Sequence, residues 1–275
     1  MKTAAILTLA GVLAVSSGLA ASYEITRDQS HVVSAAPRGT SPTVQSDSVR
    51  QVFGDAARSG TPKPADPVRD NAAARPRVGV SQMRKQVDGH PVIYVTFDDG
   101  PSLTHTPSIL DILARHHAKA TFFVEGRFAH RYPQLVAAEL AAGHSVGNHT
   151  WSHPHLPTLN ETAVRYQLTS TRSYLRSLGA NAMCVRPPFG ESSAIVHRVE
   201  STMGIHEYLW TTETKDWTHS TAAVSLKRAL LGLRPGAIVV FHDGQASGSA
   251  QTVAAVDEFL TRADSQGYVA LALPC

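Results

Sequence analysis

Charge is scarce in this chain. Of its 275 residues only 17% are Asp, Glu, Lys or Arg, below the roughly 25% of an average soluble domain. The formal net charge of +3, spread over that length, makes no polybasic field, which sets nucleic acid aside as a partner. Cysteine is scarcer still. Cys184 and Cys275 are too few for a four-cysteine zinc site or a disulfide-dense miniprotein, though enough for a single bridge. The abundant residue is histidine, with 14 copies, enough to direct attention to metal binding or proton transfer.

The first residues read Met-Lys-Thr, then an apolar stretch from Ala4 to Val15, then small residues up to Ala21. This is the grammar of a secretory signal peptide over residues 1 to 21, the alternative being an uncleaved membrane anchor. Cleavage leaves no stable membrane insertion and makes the product secreted or cell-wall associated. Export also permits a Cys184–Cys275 disulfide, the alternative being two buried free thiols. Residues 22 to 89 carry scattered prolines and few large apolar side chains. Such a stretch does not bury enough surface to offset the entropy of ordering it, so it reads as a largely disordered spacer without repeats.

From residue 90 to residue 275 the pattern changes to short apolar runs separated by amphipathic stretches. Strands are expected at Val92–Phe97, Ala120–Val124, Ser145–Asn148, Met183–Arg186, His206–Trp210, Ala237–His242 and Tyr268–Leu273. Helices are expected between them, opened by Pro107, Pro133 and Asn160 and closed near Gly143, Gly179, Gly204 and Gly267. Regular alternation of strand and helix predicts one parallel α/β domain, closest to a barrel.

Polar residues gather where those strands end, which is where barrels of this class place their chemistry. The first expected strand runs into Asp98-Asp99-Gly100-Pro101, and the third into Asn148-His149-Thr150-Trp151-Ser152-His153. Pro154 turns His153 away from a continued helix, so a single tight turn is expected there. The fourth strand runs into Arg186-Pro187-Pro188-Phe189-Gly190, the fifth toward Asp216-Trp217, and the sixth ends at Phe241-His242-Asp243. Each piece alone has an ordinary explanation, such as a turn, a salt bridge or a core histidine. Their collection after the strands of one sheet is what singles them out.

In order and spacing, these five segments resemble the motifs of the polysaccharide deacetylases, carbohydrate esterase family 4. The resemblance covers residues 91 to 275 and implies a distorted (β/α)7 barrel that removes acetyl groups from a glycan with a divalent metal. It implies Asp99, His149 and His153 as metal ligands, Asp98 as general base and His242 as general acid. Arg186 is then the residue that holds Asp98, Asp216 the one that orients His242, and Trp217 with Val240 part of the wall around the acetyl methyl. The backbone near Phe189 is implied as an oxyanion donor. Imidazole and carboxylate ligands suit Zn2+, with Co2+, Ni2+ or Mn2+ compatible with the same set. Three places depart from the family pattern. Glu213 stands where Asp is usual, Val240 where Leu is usual, and Phe189 where Tyr is frequent.

The resulting expectation is a secreted, metal-dependent N-deacetylase acting as a monomer on N-acetylglucosamine units of peptidoglycan or chitin oligomers. The same site would also serve an acetyl-xylan esterase. A third reading, of another class, is an inactive glycan-binding module that has kept the barrel.

Overall fold

A computed structural model describes residues 83–275. The expected signal peptide and the spacer up to residue 82 lie outside the described residues. Strands β1 (Gln86–Val87), β2 (His90–Asp98), β3 (Ala120–Val124), β4 (Ser145–Asn148), β5 (Cys184–Val185), β6 (His206–Glu207), β7 (Thr212–Glu213), β8 (Ala237–His242) and β9 (Val269–Ala270) form one sheet. Helices α1 (Thr106–Arg115), α2 (Gly126–Arg131), α3 (Pro133–Ala141), α4 (Glu161–Ser177), α5 (Ala194–Met203), α6 (Ala222–Leu231) and α7 (Ala250–Ser265) occupy the crossovers.

The main order is β6-β5-β4-β3-β2-β8-β7, all parallel, with β9 added in parallel and β1 antiparallel to β2. The sheet curls into a half-barrel, and no ladder between β6 and β7 closes it among the described residues. Parallel strands covered on both faces read as near-continuous apolar runs, and Ala120–Val124 and Ala237–Phe241 are buried throughout. Alternation then divides each strand between two cores. Val95, Phe97, Phe122, Val239 and Phe241 face outward against Ile109, Leu113, Val136 and Phe259 of the helices. Val92, Tyr94, Phe123 and Ile238 face inward with Cys184, Tyr208 and Leu273.

Helix ends follow the sequence signals. Asn160 accepts from the Ala163 amide at 2.9 Å to start α4, and Gly204 takes the left-handed conformation, φ 64°, that closes α5. The spacer expected to reach residue 89 ends sooner. Met83 is buried, and Gln86–Val87 folds back on β2 through Asp88-Gly89, both at positive φ. That two-residue hairpin is the kind an Asp-Gly pair favours. β7 was not expected either, because its two residues, Thr212 and Glu213, carry no apolar run and pair only with Val239 and Val240. The expected strand at His206–Trp210 narrows to β6. Cys184 and Cys275 are joined by a disulfide.

Candidate active site

Strand alternation puts Thr96 and Asp98 of β2 on the inner face, and the next residue should point outward. Asp99 does not, because it adopts a left-handed backbone, φ 69°. Both neighbouring carboxylates thus reach one cluster of side chains, Asp98 meeting Arg186 and Asp99 meeting His149 and His153. Asp98 is held by Arg186 Nη1 at 2.7 Å. Arg186 is itself fully buried, donating from Nη1 to Thr96 Oγ1 at 2.7 Å and from Nε to the Tyr208 carbonyl at 2.9 Å, with its guanidinium 4.1 Å from the Phe123 ring centroid. Burial lowers the Arg186 pKa, and the Asp98 charge offsets part of that effect.

The segment after β4 folds as a tight turn. Thr150 and His153 take positive φ, the Thr150 amide donates to Asn148 Oδ1 at 2.8 Å, and the His153 amide donates to Thr150 Oγ1 at 3.1 Å. The turn aims both imidazoles at Asp99, whose Oδ1 lies 3.2 Å from His149 Nε2 and 3.2 Å from His153 Nε2. His149 Nδ1 sits 2.7 Å from the Arg186 carbonyl, an acceptor that requires the proton on Nδ1 and leaves Nε2 as a lone pair facing Asp99.

Three ligand atoms, one from each residue, lie within 4.8 Å of one another. Asp99 Oδ1 is buried with no hydrogen-bond partner among the described residues. Converging lone pairs without a donor between them suit a cation, and two imidazoles with one carboxylate make a donor set that a divalent metal such as zinc accepts. A second group with ligand-type atoms within 4.8 Å, His197, Glu200 and Glu207, lies on α5 and β6 and includes none of the five sequence segments.

At the end of β8, His242 Nδ1 is 2.9 Å from Asp216 Oδ1, and the His242 amide donates to Asp216 Oδ2 at 2.9 Å. Thr214 fixes that carboxylate, donating to Oδ1 at 2.8 Å. Burial disfavours the imidazolium, but the Asp216 hydrogen bond and charge outweigh it and raise His242 to about 9. Val240 is buried two residues earlier on the same face of β8.

The rim is apolar. Phe189, at φ 60° and 50% exposed, stacks on His155 at 3.9 Å and meets the His153 ring edge-on at 4.6 Å. Trp217 is 46% exposed on the turn that follows Asp216. The structure thus brings Asp98, Asp99, His149, His153 and Arg186 into one contacting group, and Asp216 with His242 into a second at the end of the neighbouring strand. Sequence reasoning passed through Thr96 and Asp243 without giving either a role, and it missed Thr214. The period of two along β2 could have found Thr96, which shares a face with Asp98.

A parallel half-barrel with this set of residues at its strand ends defines the class, and comparison with known proteins gives the family. Residues 85–208 match the polysaccharide deacetylase family. The chain is 34% identical over 197 residues to a chitooligosaccharide deacetylase of Sinorhizobium fredii, covering 68% of this chain and 92% of that protein. It is 40% identical over 177 residues to a peptidoglycan-N-acetylglucosamine deacetylase of Listeria monocytogenes, covering 64% of this chain and 36% of that protein. Its match therefore spans only about a third of the Listeria relative's length. The solved Bc1960 peptidoglycan N-acetylglucosamine deacetylase superposes with a TM-score of 0.65 at 33% identity, over 66% of this chain and 86% of that one. The chain belongs to the polysaccharide deacetylase family, carbohydrate esterase family 4, and has its (β/α)7 fold.

Proposed function

We propose that this protein hydrolyses the acetamide of N-acetylglucosamine units in a peptidoglycan or chitin-type glycan, releasing acetate and a free amino sugar. The observation that carries the reading is the combination of two ion pairs, the buried Asp98–Arg186 and the partly buried Asp216–His242, with the Asp99, His149 and His153 ligand set. Asp99, His149 and His153 would hold a divalent metal, zinc by donor type. Such an ion supplies Lewis-acid polarisation of the acetyl carbonyl and makes a water easier to deprotonate.

The chain's own groups do the rest. Asp98, kept in place by Arg186, accepts the proton of the attacking water. His242, kept protonated by Asp216, donates to the departing nitrogen, which is a poor leaving group as an anion. Phe189 and Trp217 offer exposed rings for the apolar face of a pyranose, and Val240, buried on the face of β8 that carries His242, would form part of the wall around the acetyl methyl. The names of the related proteins, deacetylases of peptidoglycan N-acetylglucosamine and of chitooligosaccharides, support an amide substrate. The N-terminal signal-peptide pattern supports action outside the cytoplasmic membrane.

The test is acetate release by the full chain from chitooligosaccharides, peptidoglycan and acetylated xylan, before and after chelation and zinc return. Release from the amide substrates is expected, silenced by chelator and restored by zinc. Asp98→Asn should lower kcat by about 10²-fold or more while glycan binding persists. Release from xylan alone would make the protein an esterase. Silence on all three substrates with metal bound would leave a glycan-binding module.

A further inference from the structure

Asp243 has no part in the chemistry above, yet it is fully buried beside it. Its amide donates to the Asp98 carbonyl at 3.1 Å, extending the ladder in which Asp98 and His242 are paired across β2 and β8. The two strands run into two loops that each begin with an Asp-Gly pair, and the pairs pack reciprocally. Gly100 lies so close to the Asp243 carboxylate that a β-carbon at Gly100 would sit 2.2 Å from Asp243 Oδ1. Gly244 lies so close to Asp99 that a β-carbon there would sit 2.7 Å from both the Asp99 Cβ and the Asp99 carbonyl oxygen.

Hydrogen bonds fasten this contact. Thr106 Oγ1 donates to Asp243 Oδ2 at 2.5 Å and accepts from the Ser102 amide at 2.9 Å, while Ser102 Oγ donates to the Asp243 carbonyl at 2.7 Å. A buried carboxyl is costly to a fold, and Asp243 Oδ1 has no hydrogen-bond partner among the described residues. Packing alone would be served as well by an apolar side chain of similar size.

We propose that Asp243 is a positioning residue that acts through Asp99. By clamping the Asp99–Thr106 turn against the end of β8, it keeps Asp99 in its left-handed conformation and its carboxylate directed at His149 and His153. This rests on the reading of those three residues as metal ligands.

The experiment uses the full chain and the variants Asp243→Ala, Asp243→Asn and Thr106→Val. Zinc affinity of the metal-stripped proteins is measured by competition with a chromogenic chelator, alongside thermal midpoints, kcat and KM. Asp243→Ala should weaken zinc binding by about 10- to 100-fold, the range seen when a group that orients a ligand is removed. Asp243→Asn keeps an oxygen for the Thr106 hydroxyl and should recover most of that loss. Thr106→Val should weaken zinc in the same direction. At saturating zinc, kcat should fall more than KM rises. A merely structural residue would lower the thermal midpoint of each variant and leave the zinc affinity of the folded protein unchanged, and that result overturns the proposal. Should Asp243→Ala fail to fold, wild-type zinc affinity in Thr106→Val is enough to overturn it. Zinc affinity is read without substrate, so a wild-type protein that binds zinc but releases no acetate sinks the deacetylase reading alone. A wild-type protein with no zinc affinity removes the ligand assignment and this proposal with it.

Discussion

Removal from water ordinarily makes a histidine give up its proton, and His242 keeps one because Asp216 accepts from Nδ1, with the Asp99 and Asp98 charges adding to the effect. Its raised pKa has two consequences with a definite sign. The Asp216–His242 interaction contributes its full stability below about pH 6.5, the ordinary histidine value, and that contribution is lost as pH rises through about 9. In Asp216→Asn the alkaline limb of the kcat/KM profile should move down by about one unit or more. The difference in thermal midpoint from wild type should shrink above pH 9. A profile that stays in place would show that His242 is not the group titrating. The sequence made these partners legible because each lies within a short segment at a strand end. It could not show the left-handed turn at Asp99, which depends on Gly244 and Asp243 arriving from a strand more than a hundred residues later.

Among the elements, α3 carries the least expected side chain. Glu139 is fully buried where the helix docks through Leu135 and Val136, and neither of its carboxyl oxygens has a hydrogen-bond partner among the described residues. Burial pushes its pKa well above the usual 4.5, and the nearby Asp243 carboxylate adds to the effect. A carboxyl raised in this way supports the fold fully below its unfolded value and loses that support as pH rises. Glu139→Gln, which cannot ionise, should therefore gain thermal stability relative to wild type as pH is taken from 5 to 9. Parallel melting curves across that range would mean that Glu139 is not held neutral.

Elements differ in how openly the sequence declares them. Ala120–Val124 and Ala237–His242 occur where their apolar runs place them, because strands covered on both faces leave little ambiguity, and Ser145–Asn148 occurs where expected with Val146 as its one large apolar residue. β1 and β7 have only two residues each and owe their existence to a neighbour's edge. The hairpin before β2 was legible in Asp88-Gly89 but lay inside a proline-scattered stretch read as spacer. Which strands flank β2 was not legible at all, since β8 joins it from far along the chain.

For the molecule as a whole, the Cys184–Cys275 disulfide closes a sequence separation of 91 residues. It straps the last segment beneath the inner core, where the Leu273 amide donates to Thr121 Oγ1 at 2.8 Å and Ser145 Oγ donates to the Leu273 carbonyl at 2.8 Å. A loop of that length is worth about 4.6 kcal/mol through the unfolded chain it restrains. The double variant Cys184→Ala with Cys275→Ala should lose a comparable amount in denaturant titration. Its activity at 25 °C should survive, because Arg186 keeps its bonds to Asp98, Thr96 and the Tyr208 carbonyl. Loss of activity without loss of stability would show instead that the bridge shapes the site.

The position of β2 in the sheet reaches further. It is laddered to β8 on one edge and to β3 and β9 on the other, whereas β6 and β7, two residues each, have a single partner apiece at the ends of the order. Local opening starts where few bonds hold and reaches the most enclosed strand last. Trp217 follows β7, while the carboxylates of Asp98 and Asp99 ride at the end of β2. A molecule loosened by warming is therefore expected to lose a glycan held through Trp217 before a metal held through Asp99.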